Sequence, residues 1–303
     1  MSTETEEKYE KYYVPEQSPW PIVGAIGLFL LAFGGANFIQ QTTGKYGNDG
    51  SWGWLIFSVG LAIIVYMMWS WWRDTIRESM GGLYSSQMDR SFKQGMLWFI
   101  TSEVMFFAAF FGGLFYARVL VMPWLAGEGN NAATHALLYP DFMAHWPMTM
   151  LPDPEKFQGA VQAMGAAGLP AINTAILLTS SWTLTVAHHA LKDGNRNALL
   201  NYTSITALLG IIFLGLQVWE YIHAYNDLGL TLGSGIYGST FFMLTGFHGL
   251  HVTIGTIFLI VLSIRCASGH FTKENHFAYE AGAWYWHFVD VVWLFLFIFV
   301  YVL

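Results

Sequence analysis

Seven runs of about twenty apolar residues dominate this sequence, and each has the length a helix needs to cross roughly 30 Å of hydrocarbon. They lie near Pro21 to Ile39, Trp54 to Trp72, Met96 to Arg118, Leu169 to Ala187, Tyr202 to His223, Tyr237 to Ile264, and Tyr279 to Leu303. Only 11% of the residues are charged, against 54% hydrophobic and 17% aromatic, which is too little charge to clothe a soluble surface. The expected fold is therefore an all-α membrane protein with seven transmembrane helices.

The basic residues between the runs set the expected orientation. With the N-terminus inside, the inside segments hold Lys8, Lys11, Arg73, Arg77, Arg90, Lys93, Lys192, Arg196, Arg265 and Lys273, whereas the outside segments hold Lys45, Arg118 and Lys156. Excess Lys and Arg marks the inner face, so the C-terminus is expected outside. The expected location is a bacterial inner membrane, with the matrix replacing the cytoplasm if the source is an organelle. The start STETEEKYEKYY lacks the basic region and short apolar core of a cleaved signal, so the first run counts as a span. Cys266 is the single cysteine, which rules out an intramolecular disulfide and a Cys-rich metal site. A net charge of -7 without a basic stripe argues against nucleic acid as a partner.

The expected organisation is a polar segment 1–19, a two-helix bundle 20–74, an inside loop 75–95, and a five-helix bundle 96–303 with an external loop 119–168. A long external connection is an ordered lid or a partner surface, and the partner surface is favoured here. Thr245, Gly249 and Thr253 place small side chains on one helix face and read as a packing surface. Gly24, Gly27, Gly112 and Gly113 read the same way.

Ionisable groups inside the runs are costly, at least about 2.5 kcal/mol for a carboxylate on insertion scales, and they tend to mark function. The last run carries Glu280, His287 and Asp290, and the third carries Glu103 within SEVMFFAAFF. Counting about 1.5 Å per residue puts Glu103 roughly 12 Å and Asp290 roughly 14 Å from the inner edge, so the two carboxyls are expected in one layer. Glu103 has no basic neighbour in its own span, and desolvation favours its protonated form. It reads either as a proton-handling carboxyl or as a neutral acid bonded to a neighbouring helix. Glu220 and His223 count to the outer edge and read as solvated interfacial groups.

His248 and His251 in GFHGLH, with His287 in WHFVD, raise haem ligation. Ligands on two helices need matched depth, and His287 counts to roughly 10 Å against roughly 20 Å for His251. No compact ligand cluster suits copper or zinc. The histidines, with Glu280, are expected to form buried hydrogen bonds. WSWWRDTIRES, including Trp72 and Arg77, and the Arg265 of LSIRC put indole and guanidinium groups at headgroup level, where they anchor the chain or meet lipid phosphate.

Along nearly its whole length the chain closely resembles the cytochrome c oxidase subunit III family. The resemblance is carried by SPWP at Ser18, WWRDTIRES from Trp71, SEVMFF from Ser102, LPAINT from Leu169, AHH from Ala187 and WEY at Trp219. It continues in YGSTFF from Tyr237, TGFHGLHV from Thr245 and AGAWYWHFVDVVWLFL from Ala281. The resemblance implies two splayed helices and a five-helix bundle around a V-shaped, lipid-filled cleft. It implies a subunit without haem or copper, which flanks oxidase subunits I and II, supports proton uptake and protects the complex during turnover. Haem and copper are then expected in those partners, and phospholipids on this chain. Glu103 matches the family's buried, carbodiimide-reactive glutamate, and Arg77 and Arg265 match arginines beside lipid headgroups. Val121 to Gly168 departs from the mitochondrial members in length and pattern. Quinol oxidase subunit III is the near alternative, although that form lacks the first two helices. A dihaem membrane cytochrome and a transporter are the alternatives of a different class.

Overall fold

The computed structural model describes residues 12–42 and 51–303. Residues 1–11 and 43–50, which include Lys8, Lys11 and Lys45 of the orientation count and much of the 1–19 segment, lie outside the described residues. Among the described residues all regular structure is helical. Seven helical stretches are long and apolar enough to cross a membrane. They are α1 (Trp20–Thr42), α2 (Ser51–Met80), α3 (Ser86–Phe115) with its extension, α6 (Leu169–Asp193), α7 (Arg196–Asn226), α8 (Gly235–Ala267) and α9 (Phe277–Leu296) with its extension. Short helices α4 (Met122–Leu125) and α5 (Ala132–Leu138) precede α6.

The expected inside loop 75–95 is mostly helix. Nothing in RDTIRES breaks a helix, so α2 continues to Met80 and stops where Gly82 adopts a left-handed φ of 68°. There the Leu83 amide donates to the Glu78 carbonyl at 3.3 Å, which satisfies an end carbonyl. Helix α3 then begins at Ser86, with Ser85 Oγ accepting from the Met88 amide at 3.3 Å. The third span also outruns its expected end at Arg118, passing through a π-helical turn, Tyr116–Val121, into α4.

The chain divides into two compact units, 1–92 and 93–303. In the first, α1 and α2 form an antiparallel hairpin whose buried residues are small: Gly24, Gly27, Gly34, Gly53, Gly60 and Ser70. A side chain at Gly34 would strike the backbone of Phe57, and one at Gly60 the backbone of Leu31, so the helices meet backbone to backbone. Their large apolar groups, Phe29, Trp52 and Trp69 among them, point outward. Below the spans, Tyr84 Oη donates to Glu78 Oε2 at 2.7 Å, and burial together with that carboxylate pushes the Tyr84 hydroxyl pKa up.

The second unit is built around aromatic side chains. Thr183 on α6 and Thr206 on α7 share a hydrogen bond of 2.8 Å, which fixes the antiparallel register of these helices. One turn further along, the fully buried Trp286 of α9 donates to Ser180 Oγ at 3.0 Å and packs where Gly210 of α7 and Gly255 of α8 leave room. Next come Trp293, donating to Thr174 Oγ1 at 2.9 Å, and Phe213, with ring centroids 4.8 Å apart. The packing glycines are thus Gly210 and Gly255. A Cβ at Gly112, Gly113 or Gly249 would meet nothing within 4 Å, and Thr253 is exposed, so no helix of this unit packs closely on those positions. Of that trio only Thr245 is buried, bonded to Tyr221 Oη at 2.7 Å.

The segment expected to be an external partner surface folds back as an ordered cap. Phe142, Met148, Leu151, Ala160 and Met164 are buried in the core of this unit. The Val161 amide donates to the Leu228 carbonyl at 2.9 Å, and the Met164 amide to Tyr237 Oη at 3.1 Å. Arg118 lies over the Trp146 ring at 5.6 Å, and Trp146 packs edge-on against Tyr237. Leu137, Met143, Met150 and Val161 remain exposed on the outside of this cap.

Candidate functional site

Glu103 of α3 and His251 of α8 meet with Oε2 and Nε2 2.8 Å apart. Their side chains are 21% and 10% exposed, and the imidazole sits among the rings of Phe106, Phe107 and Tyr285. The other ring nitrogen, Nδ1, lies 2.7 Å from the Phe247 carbonyl. A carbonyl only accepts, so Nδ1 carries a hydrogen. Nε2 of a neutral ring then has a lone pair, and the contact with Glu103 closes only if the carboxyl supplies a proton. If the ring is charged, Nε2 donates that same proton to a carboxylate. In both forms the pair is neutral overall and holds one proton between two heteroatoms.

The remaining candidates do not join this pair in one network. His248 is buried, its Nε2 donating to the Val289 carbonyl at 3.2 Å and its ring packed on Phe213 and Trp293. His287 is only half-buried, with Nδ1 2.7 Å from Ser181 Oγ of α6. Asp290, 4% exposed, lies beside Ser181 and 3.9 Å from His287 Nδ1, and neither of its oxygens makes a hydrogen bond. Asp290 therefore faces α6, whereas Glu103 is engaged by α8. Glu280 sits in the first turn of α9, partly exposed and 3.5 Å from Lys93 Nζ, where a carboxylate also suits the positive end of the helix.

Glu220 departs from its expected surroundings. Expected in headgroups and water, it is 0% exposed, because the π-helical turn Phe297–Val302 brings Tyr301 Oη to its Oε1 at 2.6 Å. His223, one turn on, matches the expectation: it is exposed and bonded to Asp227 at 2.6 Å. Sequence reasoning singled out neither Tyr301 nor the buried amides of Asn173 and Gln217. The available signal was an Asn and a Gln inside otherwise apolar runs.

On α2 Arg77 is exposed and Trp72 half-buried. In the other unit Arg265 is 8% exposed, with its guanidinium 4.5 Å over the Phe271 ring and its Nε without a partner. An apolar groove of about 690 Å³ runs along α3 and α9, lined by Phe107, Phe111, Val291 and Phe295 among others, with Arg118 at one end.

Long apolar helices, a core of stacked aromatics and a carboxyl-imidazole pair within the spans define a polytopic membrane protein with one protonatable centre on α3 and α8. Comparison with known proteins gives the family. The model of "Cytochrome c oxidase subunit III" matches residues 10–128 and 138–303. Proteins named "Cytochrome c oxidase subunit 3" from Formosania lacustris and Latimeria chalumnae are each 39% identical, over 293 and 291 residues, covering 96% of this chain and 96% of theirs. One from Paracentrotus lividus is 39% identical over 291 residues, with the same coverage. The chain belongs to the cytochrome c oxidase subunit III family.

Proposed function

We propose that this chain is the non-redox subunit III of a proton-pumping cytochrome c oxidase, seated beside subunits I and II. There it steadies the catalytic subunit and supports proton uptake while oxygen is reduced to water. The observation that carries the reading is the Glu103–His251 pair, which keeps one transferable proton among aromatic rings. Low local dielectric strengthens such a bond and makes its loss expensive. A single pair offers a place to hold a proton and no continuous route across, so Glu103 serves as a local proton store and Asp290 as a second, separate buried carboxyl. The membrane orientation follows from the basic residues, N-terminus inside and C-terminus outside.

Haem and copper belong, on this reading, to the partner subunits. Both ring nitrogens of His251 are engaged, so it has no lone pair for axial ligation, while His248 Nε2 is held by a carbonyl and His287 Nδ1 by Ser181, each at its own place in the bundle. Arg77 and Trp72 on one unit, and Arg265 on the other, are assigned to phospholipid headgroups. A guanidinium offers paired donors to phosphate, and the unpartnered Arg265 Nε is one such donor. Copurification of the tagged chain, with an optical spectrum and identification of its partners, tests the reading. Oxidase subunits I and II are expected with it, along with haem absorbance that leaves when they are stripped away. Stoichiometric iron or copper retained by the separated chain would contradict it.

A further inference from the structure

One end of the second unit holds a polar layer that the oxidase role does not use. Starting from the Thr183–Thr206 hydrogen bond, the register of α6 and α7 runs through Ser180 and Gly210, both against Trp286. It continues through Thr174 and Phe213, both against Trp293. The same register puts Asn173 of α6 opposite Gln217 of α7, one turn from Glu220, and Tyr301 reaches Glu220 from the π-helical turn. Asn173 and Glu220 are 0% exposed and Gln217 is 4% exposed. Gln217 lies beside both Glu220 and Tyr301 without closing a well-formed hydrogen bond to either.

The layer therefore aims unpartnered atoms inward: Asn173 Oδ1 and Nδ2, Gln217 Oε1 and Nε2, and Glu220 Oε2. Buried polar groups without partners are expensive, and native proteins pair nearly all of them. The mixture of types selects the ligand. A metal cation would satisfy the three oxygens and leave both amide NH2 groups stranded, whereas water both donates and accepts. A buried water makes about three hydrogen bonds where two to four polar partners converge, and the helix register brings three such buried side chains to this layer.

We propose that Asn173, Gln217 and Glu220 form a built site for a small cluster of internal water, which ties α6, α7 and the C-terminal π-helical turn together. Tyr301, donating to Glu220 Oε1, closes one side, and the water bridges Oε2 to the two amides. This makes Glu220 a hydrated buried carboxyl, distinct from Glu103, whose partner is an imidazole.

The test is a high-resolution structure of the assembled complex, determined with and without rubidium chloride. At least one ordered water is expected within hydrogen-bond distance of all three side chains, unchanged by rubidium. A dry layer with the three side chains paired directly to one another would overturn the proposal, and so would a peak that strengthens with rubidium, which would mark a cation. A second reading comes from stability. Gln217→Leu should lower the temperature at which the complex loses this subunit, because it strands Asn173 and Glu220. The combined change Asn173→Leu, Gln217→Leu, Glu220→Leu should recover part of that loss by drying the layer. Additive losses would show that no shared solvent links the three.

Discussion

The hairpin of residues 1–92 and the bundle of residues 93–303 solve the problem of helix association in opposite ways. In the hairpin only 11% of the apolar window of α2 is buried, and what is buried is glycine and serine. In the bundle half of the apolar window of the last span is buried, and the buried residues of α9 include Trp286, Trp293, Tyr279 and Tyr285. Lipid tails are as apolar as leucine, so helices in a membrane gain little from hiding apolar surface and associate through close packing and hydrogen bonds. The hairpin meets backbone to backbone along its length, with side-chain hydrogen bonds between its helices near the two ends, Trp20 Nε1 to Asp74 Oδ2 at 2.9 Å and the Gly53 amide to Gln41 Oε1 at 3.2 Å, and its large side chains face outward. The bundle adds buried indole and hydroxyl hydrogen bonds between its helices, and among the described residues the buried ionisable groups of the spans, Glu220, His248, His251, Arg265 and Asp290, all lie there. Chemistry follows the region that can enclose a polar group.

The sharpest way to break that contrast is to remove one aromatic keystone. Trp286→Ala deletes a fully buried side chain and its bond to Ser180, a change that costs about 3–5 kcal/mol in well-packed cores. The expected result is an oxidase purified without this chain, read by the subunit ratio after detergent extraction. Retention at full stoichiometry would show that the aromatic layers are not what holds the bundle.

Gly60→Leu attacks the hairpin instead. Its new side chain meets the backbone at Leu31, which has no room to move aside, so α1 and α2 should separate. Cross-linking between cysteines placed at Phe38 and Trp54, whose ring centroids lie 5.8 Å apart across the hairpin, should fall several-fold, while the subunit itself is retained through its bundle. An unchanged cross-link would mean that the hairpin tolerates a gap, and that close backbone approach is not its organising feature.

Much of this was legible in the sequence, because a span is announced by its own length and hydropathy. Seven runs gave seven spans, and Glu103 stood out as an acid without a local partner. Its partner was not legible. Counting residues from assumed membrane edges separated Glu103 from His251 by roughly 8 Å in depth, yet they are bonded. The third helix starts at Ser86 and not near Gly95, and edges taken from hydropathy say nothing about how far a helix continues as polar helix. Glu220 failed for a related reason. Its burial comes from a π-helical turn and Tyr301, 81 residues away, which no local pattern reveals. The sequence left an ordered lid as one of two readings of this segment and did not show which residues it buries, because they are scattered singly between Phe142 and Met164 without helical or strand period.

The smallest expected effect lies on that cap. Lys156 Nζ pairs with Asp153 Oδ2 at 2.9 Å, holding the Asp153 carboxyl below its usual range and raising the Lys156 ammonium. Because the native Asp153 value is depressed, its contribution is present above the unfolded aspartate value and is lost as pH falls through the native one. The raised lysine works in reverse, contributing below its unfolded value and losing that contribution as pH rises through the native one. Both groups are open to solvent, so Asp153→Asn should only slightly speed hydrogen exchange at the Lys156 and Phe157 amides near neutral pH, with the difference vanishing in acid. A large effect would mean that the cap depends on this pair more than on its buried apolar residues.

The contrast between a glycine-packed hairpin and a bundle that encloses a carboxyl-imidazole pair rests most heavily on Glu103. Glu103→Gln keeps the size and a hydrogen bond to His251 while removing the transferable proton. The decisive measurement is proton release per electron in reconstituted oxidase carrying that variant, beside oxidase lacking this chain. Full assembly and an unchanged pumping stoichiometry are expected for the variant, with sustained turnover impaired when the chain is absent. Abolished pumping in a fully assembled Glu103→Gln oxidase would place Glu103 on the obligatory proton route and contradict its role as a local store.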